Sequence, residues 1–359
     1  MTVCLGVDAG GTSTRAVLLT PDGTCVGYGR AGGGNPVSWG AEAAARSVAA
    51  AVSGAVSDHR ARNSGVELRP LTLTGPAVLA MAGGGSAGGQ DTWAAVLAGA
   101  GVTGAVRLES DLLATFCAGT PDADGYALVA GTGASAIRIA GHRVERVVDG
   151  LGWLLGDEGS GFWIGQQAVR AALAALDGRG PETTLSTSVP AALGLSGPDR
   201  RAPAALASEI GDDADGPTRV GRSETLAAAV GALYRMRPVE LSRFAAAAMT
   251  AAEHDDAVAM EIVARAQERL VHSLASVHRP GHHGPVVLGG GIARRLRSLS
   301  SRVAQVAASW GPQAPQVVTV EDGSAGAAVL ALRHAGFVVS GMIFDRLIAT
   351  LATVRTDPV

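Results

Sequence analysis

Twice in this chain an apolar run stops at a short turn of glycine and hydroxyl residues and then resumes as a second apolar run. The first instance is LGVDAGGTSTRAVLL, Leu5 to Leu19, and the second is ALVAGTGASAIRIA, Ala127 to Ala140. Val3, Leu5 and Val7 alternate as a strand does, and Ala16 to Leu19 read as a more deeply buried strand. Tyr126 to Ala130 and Ala136 to Ala140 flank Gly131-Thr132-Gly133 in the same way. One such turn fits any polar hairpin. Two of them, about 120 residues apart, constrain the chain more, because a third apolar run then ends on glycines, PVVLGGGIARRL from Pro285 to Leu296, with a helix predicted to follow. The chain thus reads as two hairpin turns plus a strand–glycine–helix element, in order along nearly its whole length.

Backbone N–H groups in a glycine-rich turn form a concavity for an anion, and Thr and Ser hydroxyls add donors. Two turns facing each other from two domains can grip a polyphosphate from both sides. Gly10, Gly11, Thr12 and Thr14 in the first turn, and Gly131, Thr132, Gly133 and Ser135 in the second, are therefore candidate phosphate-binding residues. Asp8 ends the first strand and suits Mg²⁺, which takes one or two carboxylates and completes its shell with water and phosphate oxygens. At Gly289, Gly290 and Gly291 an adenosine can lie flat against backbone where a side chain would block it.

Composition removes rivals. With 359 residues the chain is long enough for two domains. All 29 basic residues are arginine, which excludes a P-loop, a Schiff base and a lysine general base. A net charge of −3 without a long basic run gives no support to nucleic-acid binding. Cys4, Cys25 and Cys117 are far apart and form no CxxC or Cys/His cluster, so neither a zinc site nor a disulfide framework is expected, and Cys4 reads as a small core residue. The N-terminus starts at once with strand and turn, without a signal-peptide pattern, and no apolar stretch is long and clean enough to span a membrane. Phe337 to Val354 comes nearest, but Asp345 and Arg346 interrupt it, so it reads as a packed C-terminal helix. The expected location is the cytoplasm.

Three further stretches bear on what accepts the phosphate. In LESDLLATF, Asp111 stands between a strand end and the helix-like run Leu112 to Ala118. It can serve as a helix cap, as a general base that takes a proton from an attacking hydroxyl, or as both. In GLGWLLGDEGSGFWIGQQAV, glycines 150, 152, 156, 159, 161 and 165 are too dense for regular structure until a helix begins near Ser160. Asp157 there reads either as capping or as a hydrogen-bonding partner for sugar hydroxyls. In GGGNPVSWG, Asn35 sits on a glycine-rich loop where its amide can reach a ligand, or simply makes an Asn-Pro turn.

Taken in order along nearly the whole chain, VDAGGTSTRAVL, AGTGAS and VVLGGGIA resemble the first phosphate, second phosphate and adenosine motifs of the sugar kinase/Hsp70/actin superfamily. GDEGSGFWIGQQAVRAALAALDGRGPET, with GGGN upstream, is similar to the BadF/BadG/BcrA/BcrD-type ATPase family, and within it the N-acetylglucosamine kinase branch. The resemblance implies an α/β ribonuclease H-like, actin-like fold with an ATP cleft between duplicated mixed sheets. Residues 1–117 would form the first domain, 118–321 a larger second one, and 322–359 would pack back on the first. It further implies ATP and Mg²⁺ as cofactors, an amino sugar phosphorylated on its 6-hydroxyl, and a homodimer. Asp111 would be the base. Asn35 and Asp157 would contact the sugar, with Gly150 and Gly152 facing the acetamido group, and Thr12 and Thr132 would hold phosphates. Relatives read Gly-Trp-Gly where this chain has Gly150-Leu151-Gly152, and Gly85 and Ser86 stand where kinase relatives vary. Glucosamine and N-acetylmuramic acid therefore remain as alternative acceptors.

A reductase-activating ATPase of the same family would need paired cysteines after the second turn, and none occurs beyond Cys117. A sugar-sensing regulator would carry a helix-turn-helix and a Cys/His site, and neither pattern is present. Between Gly178 and Arg222 the composition is that of a surface insertion. Helices are expected over Thr225–Arg235, Pro238–Glu253 and Asp256–His278, and HRPGHHG, His278 to Gly284, reads as an exposed loop.

Overall fold

The computed structural model describes residues 3–63, 73, 75–82, 89–195, 223–311 and 314–356. The two glycine hairpins each belong to a five-stranded sheet. The first contains β1 (Cys4–Ala9), β2 (Thr14–Leu19), β3 (Cys25–Ala31), β4 (Ala77–Met81) and β5 (Val106–Glu109), in the order β3-β2-β1-β4-β5. The second contains β6 (Gly125–Ala130), β7 (Ala134–Ala140), β8 (Arg143–Asp149), β9 (Val286–Gly289) and β10 (Val317–Thr319), in the order β10-β9-β6-β7-β8. Read from opposite ends the two orders coincide, with β1 and β6 central. Each central strand pairs antiparallel with its hairpin partner and parallel with β4 or β9. The duplicated mixed sheet expected from the sequence is present. The hairpins' third strands, β3 and β8, had no clear signal because glycine and arginine interrupt their apolar alternation.

The helices are α1 (Pro36–Trp39), α2 (Ala41–Arg62), α3 (Gln90–Gly99), α4 (Asp111–Gly119), α5 (Gly161–Leu176), α6 (Leu185–Ala192), α7 (Glu224–Tyr234), α8 (Ala245–Glu253), α9 (Ala257–Val277), α10 (Gly291–Arg295), α11 (Leu299–Ala307), α12 (Ser324–His334) and α13 (Gly341–Thr356). Four expectations shift. Pro238–Phe244 is a 3-10 segment rather than α-helix, and its backbone lies so close to α5 that a side chain at Gly165 would overlap the Leu241 carbonyl. The C-terminal helix starts at Gly341, not Phe337. The stretch read as an insertion opens with helix α6, while 196–222 lie outside the described residues, as do Gly85 and Ser86. His278 to Gly284 is a mostly exposed loop as expected, except that His278 stacks on Trp310 and His282 meets the edge of Tyr126.

The central strands of both sheets are covered on both faces, which is why they read as nearly continuous apolar runs. Alternate residues of β1 divide accordingly. Leu5 and Val7 join α2 and α3, while Cys4 faces the layer between the sheets. Tyr126, Leu128 and Ala130 join α5, α8 and α9, while Ala127 faces that same central layer. The layer is built on α4 and α12, one crossing from each sheet, with α13 against β3.

Glycine makes the central layer possible. A Cβ on Gly326 would come 2.6 Å from the Ala114 carbonyl carbon, and one on Gly6 would come 2.5 Å from that of Ala327 and 2.7 Å from Ala328 Cα. Backbone cannot yield there. Gly6→Ala should therefore lower stability by about 1–3 kcal/mol, the usual cost of overpacking. Gly99→Ala in α3, where a Cβ meets nothing within 4 Å, should leave stability unchanged or raise it slightly. Thermal melts of the two variants check this pair.

Candidate active site

The turns at the ends of β1 and β6 are built alike. Gly10 N–H donates to the Ser13 carbonyl (3.1 Å), and Gly131 N–H donates to the Gly133 carbonyl (2.9 Å). Their other carbonyls are drawn away from the cleft by neighbouring segments. The Gly10 oxygen accepts from Gly34 and Asn35 N–H, and the Gly11 oxygen accepts from Trp39 Nε1 at 2.6 Å. The Gly131 and Thr132 oxygens accept from Gly161 and Phe162 N–H at the start of α5. The N–H groups of Gly11, Thr12, Thr132 and Gly133 have no partner among the described residues. A Cβ on Gly11 would stand 3.6 Å from Thr132 Oγ1, so the two turns meet across a narrow cleft. Four amides with their carbonyls pinned outward form an anion cradle from two sides.

The hydroxyls divide. Thr12 is exposed and Thr132 half-buried at the cleft. Thr14 is fully buried and donates to the Gly32 carbonyl (2.8 Å), and Ser135 is buried and donates to the Val148 carbonyl (3.3 Å). These last two brace the turns and do not offer hydroxyls to a ligand, a correction to the sequence expectation. The third glycine motif divides as well. A Cβ on Gly289 would overlap the Thr115 side chain, and Gly290, at φ 96°, would meet Ala130 backbone at 2.6 Å. Only Gly291 faces open space, so packing rather than a ligand requires the first two glycines.

Asp8 lies below the first turn. Its carboxylate accepts from Gly323 N–H (3.1 Å) and stands 3.9 Å from Arg15 Nη1. Arg15 Nε lies 3.1 Å from Asp322, which also pairs with Arg355 at 2.7 Å. Burial and then the Asp322 charge push Asp8 up to about 7, against the opposing pull of Arg15, and Asp111 adds to the rise. Asp322 is buried too, which alone would raise it, but Arg355, Arg15 and Ser324 hold it below the usual carboxylate range. Burial likewise raises Asp111. No group of three or more ligating side chains close enough to hold a metal by themselves occurs among the described residues. A cleft floor with one strained carboxylate beside a second fits a cation that draws most of its ligands from water and phosphate.

Asp111 is the first residue of α4. Ser110, not Asp111, is the N-cap, accepting from Leu112 N–H through Oγ at 3.2 Å. Asp111 Oδ1 also accepts from Leu112 N–H (3.0 Å). Asn35 caps α1 by accepting from Val37 N–H (2.8 Å), which leaves its Nδ2 free to donate, and its own N–H ties it to the first turn. Asp157 belongs to the second turn. At φ 57° it accepts from Ala134 N–H (3.2 Å), and a Cβ on Gly133 would press on its carboxylate at 2.9 Å. Asp149 in turn accepts from Asp157 and Glu158 N–H at 2.7 and 2.8 Å. Gly150, at φ 73°, packs on Ser135, whereas Gly152, at φ 85°, meets nothing within 4 Å. The sequence reading missed Arg15, Asp322, Asp149 and Trp39. Arg15 sits inside the first quoted motif and Asp322 outside all of them, and nothing in the sequence revealed that they pair.

A model of the BadF/BadG/BcrA/BcrD ATPase family matches residues 5–331. Over 186 residues, 52% of this chain and 59% of the relative, the sequence is 32% identical to the glucosamine kinase GspK of Vibrio cholerae. The chain thus spans less than two thirds of that relative. Among solved structures, a candidate N-acetylglucosamine kinase from Chromobacterium violaceum superposes with a TM-score of 0.66 at 23% identity, covering 92% of this chain and 99% of the other. One from Porphyromonas gingivalis gives 0.60 at 19%, covering 94% and 100%. These likenesses show the two-domain fold. No helix among the described residues is long and apolar enough to cross a membrane.

The Asp8 carboxyl gives a pH prediction. Its folded value lies above its unfolded one, so the proton it keeps stabilises the fold below about pH 4, and that contribution is lost as pH rises through about 7. Asp8→Asn carries no such charge. Without divalent cation its melting midpoint should gain on the parent chain's steadily between pH 4 and pH 8, and a gap that does not widen would refute the assignment.

Proposed function

The chain belongs to the BadF/BadG/BcrA/BcrD ATPase family, and from that premise we propose that it is an ATP-dependent kinase acting on the 6-hydroxyl of an amino sugar, N-acetylglucosamine first. The observation that carries the reading is the pair of facing turns, with four amides unpartnered among the described residues, above the buried Asp8 and the half-buried Asp111. Such amides bind phosphoryl oxygens without reorganising when charge develops. Thr12 and Thr132 would add hydroxyl donors. Asp8, with water and phosphate oxygens, would hold Mg²⁺, which neutralises charge on the phosphates when bound. Gly291 leaves open the space an adenosine would use.

Asp111 would orient the acceptor hydroxyl and take its proton. Its raised pKa makes it a better base than an ordinary aspartate, and it is held rigid at the head of α4. Asn35 Nδ2 would donate to a sugar hydroxyl from a loop fastened to the first turn. Arg237, from the other half of the molecule, donates to the Ser38 carbonyl (2.8 Å) and so holds that loop from across the cleft. Asp157 would act mainly by shaping the second turn. Closure around the sugar excludes water, which would otherwise accept the phosphoryl group.

Glucosamine is the second reading, favoured by the 32% identity to GspK. ADP release measured against N-acetylglucosamine, glucosamine, N-acetylmuramic acid, N-acetylmannosamine and glucose separates the two. Asp111→Asn should lower kcat on the preferred sugar by roughly 10²- to 10⁴-fold. Removing a buried charge should leave its melting point no lower than the parent's. Near-parental turnover in that variant would remove Asp111 from the mechanism.

A further inference from the structure

A cavity of about 760 Å³ opens on the far side of α4 from Asp111. Leu113 lines it, and a residue two positions along a helix lies about 200° round the axis. The candidate base and the cavity thus occupy opposite faces of one helix. Ser110, whose hydroxyl caps that helix, also lines the cavity. The other walls come from the β7–β8 turn, with His142 and Arg143, and from the end of α12, with Arg333 and His334. Residues of both sheets' halves therefore meet here, at the helices that cross between them.

Two arginines and one carboxylate line the cavity, with Asp122 and Asp124 beside His142 at its rim. The half-buried Arg333 guanidinium is fixed by two neutral acceptors, Cys117 Sγ at 3.2 Å and the Pro121 carbonyl at 2.8 Å. Among the described residues no carboxylate lies within ion-pairing distance of it, nor of the exposed Arg143. The acidic wall residue, Glu109, is engaged by His334 at 2.7 Å. A fixed guanidinium without a counter-charge gains from an anion, and its planar fork suits phosphate. The volume falls in the range of small-molecule sites and exceeds what a bare phosphate fills, and Leu330 and Phe337 offer apolar wall for the remainder of a ligand.

We propose that this cavity is a second binding site, separate from the cleft, for a small phosphomonoester. The phosphate sits between Arg143 and Arg333 and the organic part lies against α12 and the segment after it.

Calorimetric titration of the full chain with glucose 1-phosphate and with inorganic phosphate tests this, in the presence of a saturating non-hydrolysable ATP analogue that keeps the cleft's own phosphate cradle filled. The expected result is one site per chain, tighter for the ester, weakened about tenfold by Arg143→Ser through loss of a charge-assisted contact, with analogue affinity unchanged. Arg333→Gln should weaken it similarly. Arg143 is exposed, so its variant tests the site even if Arg333→Gln fails to fold. No binding to the analogue-filled chain, or parental affinity in Arg143→Ser, overturns the site. Equal affinity for inorganic phosphate overturns the ester reading.

Discussion

The structure depends on the contact of α4 with α12 between the two sheets. Each helix leaves one sheet and crosses toward the other. They approach closely because Gly326 lets α12 rest on the backbone of α4 at Ala114, and Gly6 lets β1 rest on α12. Gly119, tight against Val287, does the same for α4 and β9. Larger side chains there would hold the sheets apart. With them absent, the ends of β1 and β6 come over one cleft, and the glycine turns that follow those strands face each other.

The electrostatics of the cleft follow from the same packing and from a chain without lysine. Positive potential at the two turns comes from backbone amides, made available because their carbonyls are tied to Gly34, Asn35, Trp39 and the first residues of α5. Arg15 and Arg355 are both engaged with a carboxylate. They neutralise Asp322, which leaves Asp8 as the carboxyl that burial and its neighbour drive up to about 7. The cleft floor therefore holds a carboxyl that costs stability when ionised alone and gains from a cation. This is the arrangement expected if metal and nucleotide arrive together.

The two hairpins were legible because their signal is local: an apolar run, glycines, hydroxyls, another apolar run. The β-α junction at Asp111 and the glycine-dense loop ending at Ser160 were legible for the same reason. What failed to show was the choice among partners. Thr14 and Ser135 have the chemistry of phosphate ligands but spend their hydroxyls on Gly32 and Val148. Gly289 and Gly290 look like a nucleoside platform but answer to Thr115 and Ala130. Asp157 could have met a sugar directly, yet the fold turns it onto the backbone of the second turn. Arg15 and Asp322 are more than 300 residues apart, and only the return of α12 to β1 brings them together. In each case the side chain's capacity was readable and its partner was set by long-range packing.

The proposed reaction requires that the paired turns deliver a phosphoryl group to a sugar rather than to water. Phosphorus NMR of the chain with Mg-ATP, followed with and without an amino sugar, reads the destination of the γ-phosphate directly. Without sugar, slow release of inorganic phosphate is expected, and, once sugar is added, a faster reaction whose new signal is a phosphomonoester on the 6-oxygen. Equal release of inorganic phosphate with and without every amino sugar tried would contradict it.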